Sequence, residues 1–128
     1  MVAILLAVYN GEKYLKEQIE SILSQTFTDF KIIIRDDGSK DNSPQIIEKY
    51  CEKYPQKIFA LTGNATGSAA KNFAALLQEC DEDYIMFCDQ DDVWLPEKIE
   101  KTLAAMKNAE ENRCEQAQEF PDFLPHFS

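Results

Sequence analysis

The sequence begins with the unbroken apolar run Val2-Ala3-Ile4-Leu5-Leu6-Ala7-Val8, which the turn residues Tyr9-Asn10-Gly11 end. Because polar and apolar residues do not alternate in this run, it predicts a strand that is covered on both faces, as in a parallel sheet. Leu15, Ile19 and Ile22 then recur at helical spacing. They predict an amphipathic helix that packs on the sheet.

The same alternation of strand and helix continues along the chain. Further strands are predicted over residues 30–35, 58–61 and 84–88. The intervening helices carry apolar faces at Ile46, Tyr50 and Tyr54, then at Phe73, Leu76, Leu77 and Cys80, and a last helix that begins at Pro96 has Ile99, Leu103 and Met106 inward. Ser43 is predicted as the N-cap of the second helix, with Pro44 in its first turn. The pattern predicts an α/β fold with a doubly wound, mainly parallel, Rossmann-like sheet.

Polar residues follow the carboxyl ends of the predicted strands. In the strand order 3-2-1-4 the winding reverses between strands one and four, and ligands of such sheets bind outside the carboxyl ends at that reversal. The loops that meet there contain Tyr9 and Asn10, Asp36 and Asp37, residues 64–71, and residues 89–92. We therefore expect a ligand site on this rim.

The loop after the fourth strand is the acidic loop, Asp89-Gln90-Asp91-Asp92. A hard divalent cation such as Mg²⁺ or Mn²⁺ takes oxygen ligands and is commonly held by one or two carboxylates together with substrate phosphates. The acidic loop therefore predicts a metal site. The alternative is a solvated acidic turn in which Asp92 caps the next helix.

Composition and charge limit the classes of function. The chain has 128 residues, 45% of them hydrophobic and 28% charged, which is ordinary for one globular domain. Its formal net charge of -10 argues against non-specific binding to nucleic acid or to an anionic membrane surface, since both require a basic protein. An acidic chain that binds a phosphorylated ligand needs a cation between the two.

The cysteines indicate neither a zinc site nor a disulfide scaffold, because they are far apart and form no CxxC pair: Cys51, Cys80, Cys88 and Cys114. The N-terminal apolar run is short and lacks a basic leader, so it does not resemble a signal peptide. We expect a cytoplasmic protein, either free or peripheral at the inner face of the cell membrane.

The periodic pattern is predicted to end near residue 111. We divide the chain into a domain over residues 1–111 and an irregular tail over residues 112–128. The tail contains the segment Phe120-Pro121-Asp122-Phe123-Leu124-Pro125, whose two prolines argue against regular structure.

A series of short motifs resembles the inverting nucleotide-sugar glycosyltransferases of family two, which have the type-A (GT-A) fold. In chain order the motifs are Ala7-Val8-Tyr9-Asn10, Tyr14-Leu15, Ser21-Ile22-Leu23-Ser24-Gln25-Thr26, Asp36-Asp37-Gly38-Ser39-Lys40-Asp41, Asn64 with Gly67, Lys71-Asn72, and Asp89-Gln90-Asp91-Asp92-Val93-Trp94. They keep the family's order and spacing over residues 2–106. The last motif looks most like the rhamnosyltransferase branch, which implies dTDP-rhamnose as a donor.

The resemblance implies a role for several residues in binding the nucleotide. Tyr9 would offer its ring to the pyrimidine base, and Asp37 would accept a hydrogen bond from the base N–H. Ala7 lies where many relatives have Thr or Ser, which removes one base contact. Lys71 would meet a phosphate. The simpler interpretations are a turn residue for Asp37 and a solvated surface side chain for Lys71.

The resemblance also places the acidic loop against the donor. Asp89 would contact the ribose and share the metal with Asp91, which would bind the cation that bridges both phosphates. Gln90 would belong to the nucleotide-sugar site. Trp94 would either form a wall of the sugar pocket or pack in the core.

The implied activity is inverting hexosyl transfer from a UDP-sugar or dTDP-rhamnose to a glycan or lipid-linked saccharide acceptor. No residue matches the family's general base, because that carboxylate lies in the acceptor half of the longer relatives. We therefore expect a fragment that binds the donor without appreciable transfer and self-associates through its uncovered surface.

Two other classes stay open at this point. One is a non-catalytic nucleotide-binding remnant. The other is a receiver-like signalling domain that binds Mg²⁺, although its acidic pair should follow strand one, whereas Asp36 and Asp37 follow strand two.

Overall fold

The computed structural model describes residues 1–89 and 91–117. Within them the chain alternates strictly between strands and helices: β1 (Val2–Val8), α1 (Leu15–Leu23), β2 (Phe30–Asp36), α2 (Ser43–Lys53), β3 (Ile58–Leu61), α3 (Ala69–Gln78), β4 (Tyr84–Cys88) and α4 (Lys98–Ala117). Among these described residues no helix combines the length and the apolar character needed to span a membrane.

The four strands form one parallel sheet in the order β3-β2-β1-β4. The predicted strand order is therefore confirmed, as is the α/β fold class. Since all strands run the same way, their carboxyl ends share one edge of the sheet. This edge carries the loops after β1, β2, β3 and β4.

Both faces of the sheet are covered by helices. On one face Ile4 and Ile32 pack in a cluster with residues of α1, α2 and α4, including Ile19, Ile47 and Ile99. On the other face Leu5 and Ile33 pack against Leu76 of α3. Every residue of β1 is buried, as its unbroken apolar run predicts. Full burial of one such Leu or Ile side chain stabilises the fold by about 1.5–3 kcal/mol.

Ser43 does not have the predicted capping role. It is the first residue of α2, the N-cap position belongs to Asn42, and the Asn42 side chain makes no capping hydrogen bond. The Ser43 hydroxyl instead accepts a hydrogen bond from the backbone N–H of Gly11, at 2.8 Å. The hydroxyl oxygen of Ser43, which the local pattern predicts as a helix cap, thus bonds a residue 32 positions away in the chain.

The last helix is longer than predicted. It continues to Ala117, so the first six residues of the predicted irregular tail, 112–117, are helical. The reason is that Arg113, Glu115, Gln116 and Ala117 are residue types that favour helix even where no apolar stripe continues. Residues 118–128 lie outside the described residues, and the domain boundary at residue 111 stays a prediction.

Candidate functional site

A cavity of about 470 Å³ lies at the carboxyl edge of the sheet. Its walls come from the ends of β1 and β2, from the β3–α3 loop (residues 62–68) and from the start of α3. The lining includes Ala7, Tyr9, Asp37, Lys40, Ser68 and Asn72. We call it the rim cavity. It brings together Ala7, Tyr9 and Asp37, three of the residues that the sequence predicts at a nucleotide site.

Asp37 is buried at the wall of the rim cavity, with 5% of its surface exposed. Its carboxylate accepts hydrogen bonds from the backbone N–H groups of Thr66, at 2.7 Å, and Gly67, at 3.0 Å. Arg35 donates to the same carboxylate at 3.1 Å. Burial by itself would raise the pKa of Asp37, but the hydrogen bonds that it accepts outweigh burial and hold this pKa below its usual value. The carboxylate is therefore a fixed anion that shapes the β3–α3 loop.

The loop after β1 is fastened to the loop after β2. Asn10 has a left-handed backbone conformation, with φ 51°. Its N–H donates to the Ser39 hydroxyl at 2.7 Å, and its side-chain oxygen accepts from the N–H of Lys40 at 2.9 Å. Because Tyr9 directly precedes Asn10, these bonds set where the half-exposed Tyr9 ring stands at the cavity mouth.

Asp36 is a turn residue. Its carboxylate accepts from the N–H groups of Gly38, at 3.2 Å, and Ser39, at 2.9 Å, so it closes the turn on its own backbone. The Ser39 hydroxyl also donates to this carboxylate. Asp36 therefore positions Ser39, whose hydroxyl accepts the hydrogen bond from the N–H of Asn10.

The acidic loop follows β4, the strand that lies beside β1. Asp89 and Asp91 are exposed, and Asp91 has a left-handed backbone conformation, with φ 68°. Asp92 accepts a hydrogen bond from the Trp94 indole N–H at 3.2 Å, and Gln90 lies outside the described residues. Across the described ranges, 1–89 and 91–117, no three acidic, His or Cys side chains are gathered as a ready metal site. Two exposed carboxylates still fit Mg²⁺ or Mn²⁺, since substrate phosphates usually supply other ligands.

Helix α1 supports the acidic loop and the segment behind it. The buried Gln18 side chain donates to the backbone carbonyl of Asp89, at 2.5 Å. Further along α1, the Ser21 hydroxyl accepts the N–H of Trp94 at 3.1 Å. Gln25 donates to the carbonyl of Leu95, at 2.7 Å, and accepts the N–H of Ile99 at the start of α4, at 2.9 Å.

Comparison with known proteins identifies the family. Residues 3–114 match the sequence profile described as Glycosyl transferase family 2. The chain belongs to glycosyltransferase family 2.

Curated members of family 2 resemble the chain over most of its length. A dTDP-rhamnosyl transferase, RfbG of Shigella flexneri, is 42% identical over 102 residues, which cover 77% of this chain and 35% of that protein. An uncharacterized glycosyltransferase of Nostoc sp. is 34% identical over 112 residues, 85% of this chain and 34% of that protein. The chain thus spans about a third of the length of these relatives.

Solved structures confirm the type-A fold. The crystal structure of S. aureus TarS 1–349 superposes with a TM-score of 0.70 at 29% identity, covering 86% of this chain and 33% of that one. TarS 1–349 is also known in complex with UDP. The mannosyltransferase PcManGT from Pyrobaculum calidifontis, solved with GDP-Man and Mn²⁺, shares the fold at a TM-score of 0.70 and 17% identity over 77% of this chain and 30% of that one.

Two residues that the sequence predicts at the site, Lys71 and Trp94, do not line the rim cavity. Lys71 is exposed in the first turn of α3, where its backbone N–H donates to the Ser68 hydroxyl, and it does not line the rim cavity among the described residues. Lys40, which the sequence reasoning did not select, does line it. Trp94 is buried in the main core cluster, with 5% of its surface exposed, so its core interpretation is correct.

Arg35, Gln18 and Gln25 were not predicted from the sequence. All three are polar side chains that are almost fully buried. One signal was present for Arg35, because it is a charged residue that follows directly on Ile32-Ile33-Ile34 in a central strand. For Gln18 the spacing on α1 gave a hint, since it lies on the buried side of that helix with Ile22, whereas Gln25 follows the end of α1.

Proposed function

We propose that this chain is the donor-binding part of a family 2 glycosyltransferase and that the rim cavity takes the nucleotide of a UDP-sugar or of dTDP-rhamnose. One observation carries the proposal. The cavity brings Ala7, Tyr9 and Asp37 together beside β1, and β1 is also the neighbour of the strand that ends in the acidic loop. The TarS complex with UDP and the relative named as a dTDP-rhamnosyl transferase support this class of donor.

The nucleotide would enter with its base at the Tyr9 side of the cavity. Tyr9 is half-exposed and can stack its ring on a pyrimidine. Asp37 would accept the base N–H, sharing an oxygen with the donors from Thr66 or Gly67. Lys40 and Lys71 are the cations near the cavity mouth and the first turn of α3 that would meet the phosphates.

The acidic loop would hold the metal. Asp91 and Asp89 would supply carboxylate oxygens, Asp89 would also contact the ribose, and Gln90, which lies outside the described residues, would belong to the nucleotide-sugar site. A bound Mn²⁺ or Mg²⁺ supplies Lewis-acid stabilisation of the charge that develops on the leaving diphosphate. The cation is needed for binding as well, because a chain with net charge -10 repels a diphosphate.

The acceptor side belongs to the proposal only in outline. We propose a glycan or lipid-linked saccharide acceptor, a cytoplasmic location that includes the inner face of the membrane, and self-association of the 128-residue chain. The receiver-like alternative is wrong, because such domains have the order 2-1-3-4-5, with strand three beside strand one. Here β1 lies between β2 and β4.

Calorimetric titration of UDP and dTDP in the presence of Mn²⁺ or Mg²⁺, and again with EDTA, tests the proposal. We expect both nucleotides to bind with metal and to bind much more weakly without it. GDP is the matched control, because its purine presents a larger ring and a different edge to the Asp37 side. Equal affinity for UDP with and without metal would overturn the metal assignment, and preference for GDP would overturn the base assignment.

A further inference from the structure

Arg35 is a buried cation near the end of a central strand. Its side chain is on the same face of β2 as Ile33, two residues earlier, which is the face that α3 covers. Only 6% of its surface is exposed. A buried charge is costly unless it is paired and hydrogen-bonded, so the contacts of this guanidinium need a reason.

Those contacts converge from three separate parts of the rim. Arg35 Nη1 donates to the carboxylate of Asp37, at 3.1 Å, and to the side-chain oxygen of Asn72 in α3, at 3.0 Å. Nη2 donates to the backbone carbonyl of Asn64 in the β3–α3 loop, at 2.8 Å. The Asn72 amide returns a hydrogen bond to the backbone carbonyl of Arg35, at 3.1 Å.

The β3–α3 loop is shaped to pass closely over the guanidinium. A Cβ atom at Gly63 would lie 2.7 Å from Arg35 Nη2, closer than real Cβ contacts. The next residue, Asn64, gives its carbonyl to Arg35, and Thr66 and Gly67 then give their N–H groups to Asp37. The loop is thus held at two points by the Arg35–Asp37 ion pair.

Arg35 itself lies behind the cavity wall, whereas Asp37, Gly67 and Asn72 line the cavity. We propose that Arg35 is a positioning residue for donor binding: it fixes the β3–α3 loop, and thereby the wall of the rim cavity, without touching the nucleotide. This inference rests on the proposed function for its effect on affinity, but its effect on the loop can be measured without any ligand.

A lysine cannot replace Arg35 in this role. The planar guanidinium presents donors in fixed, divergent directions, and here they reach a carboxylate, an amide oxygen and a backbone carbonyl at once. A single ammonium group would satisfy part of this set and leave the rest buried without a partner. Arg35→Lys therefore tests geometry at constant charge, and Arg35→Met tests removal of the charge.

The experiment combines hydrogen exchange with nucleotide titration on the 128-residue chain. In ¹⁵N-labelled protein without ligand, we expect Arg35→Lys and Arg35→Met to speed exchange of the Thr66 and Gly67 amides by about tenfold or more. The Gly38 and Ser39 amides, which Asp36 holds, are internal controls and should be unchanged. UDP affinity with Mn²⁺ should fall by about tenfold or more.

Lys31→Met is the matched control, since Lys31 is on the same strand but pairs with Glu82, at 2.6 Å, at the far end from the cavity. Its UDP affinity should stay within about twofold of the unchanged chain. If neither Arg35 variant folds, Gly63→Ala displaces the guanidinium by contact while keeping its charge, and the same two readouts should move in the same direction.

The outcomes separate the two proposals. Unchanged exchange at Thr66 and Gly67 would overturn the positioning role of Arg35, as would faster exchange with unchanged UDP affinity. A parent chain that binds no pyrimidine nucleotide would instead overturn the proposed function, and the exchange measurement would still decide whether Arg35 sets the loop.

Discussion

The side-chain amide of Gln18 in α1 donates a hydrogen bond to the backbone carbonyl of Asp89, the first residue of the acidic loop. Gln18 has 1% of its surface exposed, and the same amide also contacts the Cys88 sulfur at 3.3 Å. The two residues are 71 positions apart in the chain. Helix α1 therefore fixes the point at which β4 ends and the acidic loop begins.

Replacement of Gln18 should destabilise the junction between β4 and the acidic loop. In Gln18→Leu the Asp89 carbonyl loses its donor, and we expect a loss of about 1–3 kcal/mol in the free energy of unfolding. Metal-dependent binding of UDP should weaken, while uridine should bind as before. Urea unfolding and calorimetry measure both effects. Gln78→Leu, at the exposed end of α3, is the control, and an equal loss there would show that the Gln18–Asp89 bond contributes nothing specific.

Cys88 should be the least reactive of the described cysteines. Burial raises the pKa of its thiol to about 12. Because the thiolate is the reactive form, iodoacetamide at pH 8 should modify the half-buried Cys51 and Cys80 before Cys88. Peptide mass spectrometry over a time course measures the order, with urea-unfolded chain as the control for intrinsic reactivity. Labelling of Cys88 as fast as Cys80 would contradict the packing of β4 against Gln18.

Asp37 should make the free energy of unfolding depend on pH in the acidic range. Because hydrogen bonds hold its pKa below the usual value in the folded chain, its contribution is complete above the unfolded value of about 3.9 and is lost as pH falls through the lower folded pKa. In Asp37→Asn the free energy of unfolding should be lower at pH 7, and this difference should shrink below about pH 4. Urea unfolding between pH 7 and pH 3 measures it. Glu52→Gln, which removes one exposed carboxylate from α2, is the control for the loss of a single negative charge.

A modified base separates contact from positioning at Asp37. If the carboxylate accepts the base N–H, UDP methylated at N3 should bind the unchanged chain about tenfold more weakly than UDP. In Asp37→Asn this ratio should fall towards one. Calorimetry with both nucleotides and both proteins completes the cycle. A ratio that is the same in both proteins would mean that Asp37 only shapes the β3–α3 loop.

Asp91 should matter for the diphosphate and not for the base. Asp91→Asn removes the proposed metal ligand, so UDP affinity with Mn²⁺ should fall towards the value measured with EDTA, while uridine affinity stays unchanged. The asparagine tolerates the left-handed backbone conformation of this position, which keeps the loop geometry comparable. Loss of uridine binding in this variant would place Asp91 against the nucleoside instead.

The fold could be predicted from local sequence patterns, because a strand that is buried on both faces has an unbroken run of apolar residues. The run Val2–Val8 has no polar residue and is buried throughout, and the helical stripes face the clusters that the sheet needs to cover. The local pattern gave a wrong prediction at Ser43, because its hydrogen-bond partner Gly11 is distant in the chain. It also ended the last helix too early, because residues after 111 favour helix although the apolar stripe does not continue.

The site followed only in part. The rule that ligands lie at the carboxyl edge placed Tyr9 and Asp37 at one cavity, because that rule depends on strand order alone. It could not find Gln25, whose partners Leu95 and Ile99 are 70 and 74 positions away. Nor could it assign Arg35, whose role depends on where the β3–α3 loop crosses β2.

Trp94 is the sole tryptophan of the chain. Its indole N–H bonds Asp92 in the acidic loop, and its backbone N–H bonds Ser21 of the supporting helix. With excitation selective for tryptophan, the emission therefore reports on the acidic loop and on the core cluster in which Trp94 is buried. If Mn²⁺ binds at the neighbouring carboxylates as proposed, this paramagnetic ion would quench the emission, and metal binding could be followed without a dye or a label.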